Sequence, residues 1–266
     1  MLAFDAIHYS LLSLVLFLTA VLVVYLKRFT KYKKNQEELY RQRDEFMAMM
    51  VHDLRSPLSV IKSSADLILT EKDNLSVDQV TDLLNQMKTS STKLLNIVTN
   101  LLDIAKIEAG KIELFIKPAN INALLDEIYK YYFPQAKDHG VNIIADLDQN
   151  IKVVNCDIEK IGQVINNLMS NAVKYTEPGD TIFISSRLQK YGVEISVSDT
   201  GKGIPDEDKA KLFNKFVQAI EHKKKNQVGT GLGLSIVKGI IEAHKGKIWI
   251  EDTKPHGAKF VFILPA

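Results

Sequence analysis

Residues 47–68 have the sequence MAMMVHDLRSPLSVIKSSADLI, and the spacing of its apolar side chains decides the architecture of the first half of the chain. These side chains follow one another at alternating steps of four and three residues, at Met47, Val51, Leu54, Leu58, Ile61, Ala65 and Ile68. Such a spacing places them along one side of an α-helix, as in coiled coils and helical bundles. We therefore predict a helix from about residue 35 to residue 70.

The same spacing returns after a polar break at residues 71–76. The second set comprises Val80, Leu84, Met87, Ser91, Leu94, Val98, Leu101 and Ala105. Ser76 is a residue type preferred at a helix N-cap, and Gly110 is a suitable C-terminal stop. Two long helices joined by a short loop form a helical hairpin. Because one hairpin cannot bury the apolar stripes of both helices, we predict a homodimer in which two hairpins form a four-helix bundle.

The distribution of glycine separates this helical part from the rest of the chain. All 13 glycines lie at Gly110 or later, and the only proline before that point is Pro57. We expect Pro57 to bend or loosen the first helix, because it removes a backbone hydrogen bond. The second half alternates predicted strands at 111–117, 141–147, 151–155, 180–188, 193–198, 247–251 and 258–264 with predicted helices at 120–139, 157–174 and 232–244. This order predicts an α+β two-layer sandwich, with helices on one face of a mixed sheet.

An uncharged stretch from Ala6 to Leu26 precedes the hairpin. About 20 helical residues cross the hydrocarbon core of a bilayer. No Lys or Arg precedes the stretch, whereas five follow within eight residues, at Lys27, Arg28, Lys31, Lys33 and Lys34. The positive-inside bias therefore predicts a single-pass transmembrane helix in the cell membrane (plasma or inner), with the catalytic part cytoplasmic. A cleaved signal peptide is disfavoured, because no basic n-region or small-residue cleavage site is present.

Composition excludes several classes of protein. Apolar residues make up 46% of the chain and charged residues 25%, which is ordinary for a globular protein and excludes a disordered one. The single cysteine, Cys156, excludes an internal disulfide and a cysteine-based metal site. The formal net charge of the chain is only +2, so we predict no nucleic-acid partner. Residues 27–43 carry seven Lys or Arg against two Glu, so we predict a basic juxtamembrane linker there.

Three clusters in the second half contain residue types suited to nucleotide binding. In the first, Asn167, Asn171 and Lys174 recur at i, i+4 and i+7 on one face of a predicted helix, and Tyr175 follows. Carboxamide oxygens can ligate Mg²⁺, and an ammonium group can contact phosphates. The alternative is a polar, solvated helix face, although Asn is unfavourable inside helices.

The second cluster, Asp199-Thr-Gly201-Lys-Gly203, directly follows a predicted strand. Its glycines allow the backbone to approach a flat ligand closely. The carboxylate can accept a hydrogen bond from an exocyclic amine such as N6 of adenine.

The third cluster comprises Gly229, Thr230, Gly231, Leu232 and Gly233 at the start of a predicted helix. Glycine-rich backbone at a helix N-terminus can hold phosphates, although tight turns use the same residues. The cluster lacks the Gly-Lys-Ser/Thr ending of a Walker motif and the βαβ context of a Rossmann fold. Before it, residues 217–228 have no apolar period. We predict a lid over the nucleotide there, with a solvated loop as the alternative.

Taken in order, these motifs closely resemble those of the sensor histidine kinases of two-component systems. HDLRSPL at 52–58 resembles their phosphoacceptor box, and NNLMSNAVKYT at 166–176 resembles their N box. The glycine and aromatic boxes are matched by DTGKGIP at 199–205, FNKF at 213–216 and GTGLGLSIVK at 229–238. The similarity covers about residues 44–266. The second half alone also resembles gyrase-like and chaperone-like ATPases, and the hairpin with His52 selects the kinase.

The resemblance implies autophosphorylation of His52 from Mg-ATP, followed by transfer to an aspartate of a response-regulator receiver domain in trans. Asp53 would orient or deprotonate the imidazole. Ser56 replaces the Thr or Asn of many relatives, which leaves a phosphatase activity open. Two alternatives are a non-catalytic dimeric scaffold or regulator and a phosphatase-dominated regulator of a two-component pathway.

The resemblance also assigns the ATP contacts. Adenine would lie on Asp199, Gly201 and Gly203, and Mg²⁺ would bind Asn171 with help from Asn167. Lys174 and Tyr175 would contact phosphate or sugar, and the loop at 229–233 would hold the phosphates.

These assignments divide the chain into four parts. We expect an anchor at 1–26, a linker at 27–43, a dimerisation and phosphotransfer hairpin at 44–110, and a catalytic ATP-binding domain at 111–266. Only five residues precede the uncharged stretch, so we expect no extracellular sensor domain. The stimulus would then arrive through the span, the bilayer or a membrane sensor partner.

Overall fold

The computed structural model describes residues 2–71, 74–209, 211–214, 231–254 and 256–265. Before residue 47 it describes side chains only at 18, 19, 21–34, 36–38, 40, 41, 43 and 44. The chain divides into two units, residues 1–52 and residues 53–266.

The first element is a single helix, α1 (Leu2–Thr70), which begins far earlier than the predicted start near residue 35. It continues without interruption through Pro57. In the described part of the chain, no helix is long and apolar enough to cross a membrane.

The second helix, α2 (Val77–Glu108), confirms the predicted N-cap at Ser76. The Ser76 hydroxyl accepts a hydrogen bond from the Gln79 N–H, and the Gln79 side chain accepts one from the Ser76 N–H. This reciprocal pair is a capping box, which satisfies two backbone donors at the start of the helix. At the other end Gly110 has a φ of +62°, which favours glycine. Residues 53–110 therefore form the predicted helical hairpin.

Burial along the hairpin shows that one chain shields only part of the predicted apolar seam. On α1 in the second unit, the shielded residues include 54, 57, 61, 64, 65 and 68, and on α2 they include 80, 83, 87, 90, 94, 97, 101 and 104. In contrast, Leu58, Leu84 and Val98 of the predicted seam remain 57%, 54% and 42% exposed. The apolar stripe of each helix is wide enough to hold two neighbouring rows of 4,3 spacing. The shielded residues therefore coincide with the predicted row at 54, 61, 65 and 68 on α1 and at 80, 87, 94 and 101 on α2, and the others lie beside it.

The described residues after the hairpin confirm the predicted two-layer sandwich. A five-stranded sheet has the order β2-β4-β5-β7-β6, in which β2 and β4 are parallel and the other neighbours antiparallel. Helices α3, α4 and α6 pack against this sheet. The bounds are α3 (Ile121–Asp138), β2 (Asn142–Leu147), α4 (Ile158–Tyr175), β4 (Thr181–Gln189), β5 (Gly192–Asp199), α5 (Asp206–Lys209), α6 (Gly233–Ala243), β6 (Lys247–Asp252) and β7 (Ala258–Pro265).

Two predicted strands are displaced. The prediction of a strand at 111–117 is wrong for most of these residues, because β1 spans only Lys117–Ala119. It pairs with β3 (Val154–Cys156), which replaces the strand expected at 151–155. The sequence of 111–116 has strand-forming residues, but strand pairing begins only at Lys117. The Phe115 N–H instead donates to the Asp157 carboxylate at 2.9 Å.

The core lies between the sheet and its helices. On β5, Val193, Ile195 and Val197 alternate with residues of the opposite face, as expected for a strand with one side against helices. They share the core with fully buried residues of the helices, which include Ile165, Leu168, Met169, Ile236 and Ile240. This packing fixes the end of β5 and the start of α6 relative to α4.

Candidate functional site

Helix α4 forms the common wall of the candidate site. Its N-cap is Asp157, whose carboxylate accepts a hydrogen bond from the Lys160 N–H. One side of α4 is buried in the core, and this amphipathic pattern explains why the helix sits where it does. Asn167, Asn171 and Lys174 are only partly buried. The predicted polar face therefore borders the core instead of facing fully into solvent.

Asn167 lies directly against the start of α6. Its Nδ2 donates a hydrogen bond to the Gln163 carbonyl oxygen at 3.0 Å. Its Oδ1 lies toward Gly233. A Cβ on Gly233 would lie 3.0 Å from that Oδ1. Because glycine has no side chain, the start of α6 can lie this close to Asn167. Gly231 has a φ of +64°, and Leu232 is fully buried beneath the turn. Gly229 and Thr230, the other members of this cluster, lie outside the described residues, as do Phe216 and the predicted lid at 217–228.

Asp199 is the last residue of β5 and is only 9% exposed. Its Oδ1 accepts hydrogen bonds from the Gly201 N–H at 3.0 Å and from the Ala258 N–H at 3.3 Å. Burial raises the pKa of the Asp199 carboxyl above its ordinary value, and the nearby charge of Asp180 adds to this rise. The two backbone hydrogen bonds act in the opposite direction. Because Oδ1 accepts both of these hydrogen bonds, they hold the carboxyl in place at the end of β5.

The loop after Asp199 meets the C-terminal end of α4. A Cβ on Gly201 would lie 3.1 Å from Asp199 Oδ1 and 3.4 Å from the Tyr175 carbonyl oxygen. Gly203 has a φ of +75°, which again favours glycine. The ammonium of Lys174 lies 5.1 Å from the centre of the Tyr175 ring. The two glycine-rich clusters thus contact α4 at Asn167 and at Tyr175, eight residues or about 12 Å apart along the helix.

The turn between β6 and β7, residues 253–257, contains site residues that the sequence did not indicate. The Thr253 hydroxyl donates to the Asp199 carbonyl oxygen at 2.8 Å. Nδ1 of His256 lies 2.9 Å from the Thr200 carbonyl oxygen and 3.2 Å from that of Gly201. Gly257 packs so closely on the Asp199 carbonyl that a Cβ there would overlap it. In the sequence, the glycine between the last two predicted strands was the one sign of this turn's role. It is a weak sign, because glycine is common in hairpin turns of every kind.

The C-terminal end of α2 is joined to the same region. The Asp103 carboxylate is 4% exposed and accepts from Lys160 Nζ at 2.9 Å and from Gln163 Nε2 at 2.7 Å. One turn later, Ile107 fills the space beside Gly239 of α6, where a Cβ would lie 2.7 Å from Ile107 Cδ1. The end of the hairpin therefore contacts both helices that carry predicted nucleotide-binding residues.

The predicted phosphoacceptor lies on α1. His52 is exposed, Asp53 is half-buried, and Ser56 is exposed one turn further along. His52 is the last residue of the first unit, and Asp53 is the first of the second.

Comparison with known families assigns both halves of the chain. Residues 42–110 match the family described as the His Kinase A (phospho-acceptor) domain. Residues 156–266 match the family described as histidine kinase-, DNA gyrase B-, and HSP90-like ATPase. Together the two matches cover more than half of the chain, in the order that the motifs predicted.

Individual relatives agree with this assignment. The circadian input-output histidine kinase CikA of Synechococcus elongatus is 33% identical over 223 residues, which are 83% of this chain and 30% of CikA. Full-length ShkA, solved in complex with AMPPNP, is 26% identical with a TM-score of 0.62, over 84% of this chain and 46% of ShkA.

The histidine kinase ThkA, solved in complex with the response regulator protein TrrA, is 28% identical with a TM-score of 0.56. That match covers 87% of this chain and 66% of ThkA. This chain thus spans less than half of CikA and of ShkA. The order of the two domains and these relatives together show that the chain belongs to the sensor histidine kinases, with a phosphoacceptor domain followed by an ATP-binding domain.

Proposed function

We propose that this chain is an ATP-dependent protein-histidine kinase that autophosphorylates His52 with Mg-ATP. The observation that carries the proposal is the convergence of two glycine-rich segments on α4. Gly233 lies against Asn167, and Gly201 lies between Asp199 and Tyr175. These two contacts lie about 12 Å apart along α4, which leaves separate places for a base and for phosphates. Family membership and the AMPPNP complex of ShkA support the same conclusion.

The base is assigned to the Asp199 end of the site. Oδ1 of Asp199 already accepts hydrogen bonds from two backbone N–H groups. Oδ2 is therefore the atom that would accept a hydrogen bond from the exocyclic amine of adenine. Gly201 and Gly203 allow the loop to lie close to the flat ring.

The phosphates are assigned to the start of α6. The first N–H groups of this helix have no partner within the helix and lie at the positive end of its dipole. Such a terminus suits an anion, and Gly231 and Gly233 keep side chains out of its path. Gly229 and Thr230 extend the same loop in sequence.

Asn171 and Asn167 fit a magnesium ion bound with the nucleotide. Both offer carboxamide oxygens, which Mg²⁺ accepts together with phosphate oxygens and water. The hydrogen bond from Asn167 Nδ2 to Gln163 fixes which end of that amide is presented. When bound, the ion neutralises charge on the phosphate oxygens. Lys174 and Tyr175 would contact the phosphate or sugar side.

His52 is the proposed nucleophile. The Nε2 lone pair of the neutral imidazole attacks the γ-phosphorus, the bond to the bridging oxygen breaks, and ADP leaves. Asp53 accepts a hydrogen bond from the Nδ1–H, which keeps Nε2 unprotonated before attack and stabilises the charge that develops on the ring. The phosphoryl group then passes to an aspartate of a response-regulator receiver domain in trans. The complex of ThkA with TrrA supports this class of partner.

The chain is proposed to act as a homodimer at the cell membrane. Apolar side chains remain exposed along the hairpin, which include Leu58, Leu84, Leu95, Val98 and Leu102. A second hairpin would cover them. The uncharged stretch from Ala6 to Leu26 and the basic residues after it support a single anchor with the kinase in the cytoplasm. Recovery of the full chain in the soluble fraction after cell lysis would contradict the anchor.

Incubation of the full chain with γ-labelled ATP and Mg²⁺ tests the kinase proposal. We expect a covalent label that is labile in acid and stable in base, which is typical of phosphohistidine. His52→Gln abolishes the label, whereas His139→Gln, at an exposed histidine after α3, retains it. A label that persists in His52→Gln would contradict the assignment of His52. Failure of the unaltered chain to become labelled would contradict the proposed activity.

A further inference from the structure

We propose that the β6–β7 turn (residues 253–257, of which 255 lies outside the described part) is a positioning element for the base-binding loop, and that His256 is a positioning residue for the nucleotide. The role in nucleotide binding rests on the function proposed above.

The turn holds three consecutive carbonyl groups where β5 continues into the loop. The Asp199 carbonyl accepts from the Thr253 hydroxyl, and the Thr200 and Gly201 carbonyls accept from Nδ1 of His256. The Ala258 N–H also donates to the Asp199 carboxylate. The backbone and the side chain of Asp199 are therefore both tied to the same turn.

The hydrogen on His256 follows from its partners. Carbonyl oxygens only accept hydrogen bonds, so the Nδ1 that contacts two of them must carry the proton. His256 is thus the donor in both contacts, either as the neutral Nδ1–H tautomer or as imidazolium.

The loop needs such ties because its own sequence does not order it. Residues 200–205 belong to no helix or strand, and Gly201 and Gly203 leave the backbone wide conformational freedom. A loop that must be ordered on binding loses conformational entropy at that moment. Hydrogen bonds from a hairpin that is anchored in the sheet order it beforehand. Because His256 is exposed, its removal leaves the core of the domain intact.

Two variants of the full chain test the role of His256. His256→Ala removes the donor, and His256→Asn replaces it with an amide N–H₂ near the position of Nδ1. We expect His256→Ala to raise the Kd for AMPPNP with Mg²⁺ and the KM for ATP about five-fold, the effect of losing roughly one net hydrogen bond. The kcat of autophosphorylation stays within about two-fold, because the loop contacts the base and not the reacting phosphate.

Rescue and a matched control separate positioning from general destabilisation. His256→Asn should restore Kd and KM to within about two-fold of the unaltered chain. His139→Ala, which removes another exposed histidine far from the loop in sequence, should change neither constant. Equal weakening of binding by His256→Ala and His256→Asn, or a loss of kcat and thermal stability in parallel with affinity, would overturn the proposal.

Hydrogen exchange of the nucleotide-free protein gives a second readout. Amides of residues 200–203 should exchange faster in His256→Ala than in the unaltered chain, while those of β5 remain protected. Unchanged exchange there, or unchanged AMPPNP affinity, means that His256 does not position the loop. If the unaltered chain binds no AMPPNP, the proposed function fails, and the exchange rates still decide whether the turn orders the loop.

Discussion

Asp199, which we propose binds adenine, has an unfavourable environment for its charge. Burial holds its pKa above the ordinary value of 3.8, so at neutral pH the carboxylate is less favourable in the folded protein than in the unfolded chain. This penalty is complete above the raised pKa and declines as the pH falls through it. It is absent well below 3.8, where both states are protonated. A buried carboxyl whose pKa is shifted in this way is a candidate for function.

Asp199→Asn tests this balance. The variant keeps an Oδ1 acceptor for the Gly201 and Ala258 N–H groups but loses the charge. We expect it to lose measurable AMPPNP binding and to unfold at neutral pH at the same temperature as the unaltered chain or a higher one. That difference should shrink as the pH is lowered toward 3.8 in thermal melts. Asp138→Asn, at an exposed site, is the control. Full affinity in Asp199→Asn would contradict its assignment to the base.

At the scale of secondary-structure elements, the end of α2 is joined to α4 and α6 by a polar and an apolar contact. Asp103 pairs with Lys160 and Gln163, and Ile107 lies in the space that Gly239 leaves open. A nearly buried carboxylate is tolerated because both oxygens have partners. The hairpin and the helices α4 and α6 therefore form one packed region within residues 53–266.

Gly239→Ala measures the apolar contact. Alanine favours an isolated helix by about 1 kcal/mol, but here its Cβ would lie 2.7–3.0 Å from three side-chain atoms of Ile107. We expect a net loss of about 1–3 kcal/mol in the free energy of unfolding, measured by urea denaturation. Ile107→Ala removes all three atoms, so the double variant should lose less stability than the sum of the two single variants. Strict additivity would show that the two residues are not in contact.

At the scale of the whole molecule, the hairpin leaves one row of apolar side chains shielded and a neighbouring row exposed. On α2 the exposed row includes Leu84, Leu95 and Leu102, which fall on one side of the helix. Exposed apolar surface of this extent is typical of an interface. The proposed four-helix bundle would bury it.

Leu84→Lys combined with Leu95→Lys tests this interface. We expect the dissociation constant of the homodimer to rise at least about 100-fold, because charge and lost packing both oppose burial of the row. Sedimentation velocity over a range of concentrations measures it, with circular dichroism to confirm that the helices remain. Thr89→Lys places the same charge on the opposite side of α2 and should leave the dimer intact. An unchanged mass in the double variant would place the interface elsewhere.

Local patterns in the sequence were sufficient to predict the hairpin, the sandwich and the segments that form the candidate site. Ser76 and Asn120 start their helices through side chains three residues from the groups they cap, and the apolar periods lie within single elements. Such local chemistry depends on neighbouring residues only. The order of the motifs indicated the kinase family for the same reason.

Three features could be found only from the packing of the folded chain: which apolar residues the hairpin shields, where β1 begins, and what holds the proposed base-binding loop. Asp103 and Lys160 are 57 residues apart in sequence, and Asp199 and Thr253 are 54 apart. Neither pair has a local pattern, because each partner is supplied by packing of elements distant in the chain. Burial then gives these contacts their energetic weight, since a polar group shielded from water needs a partner.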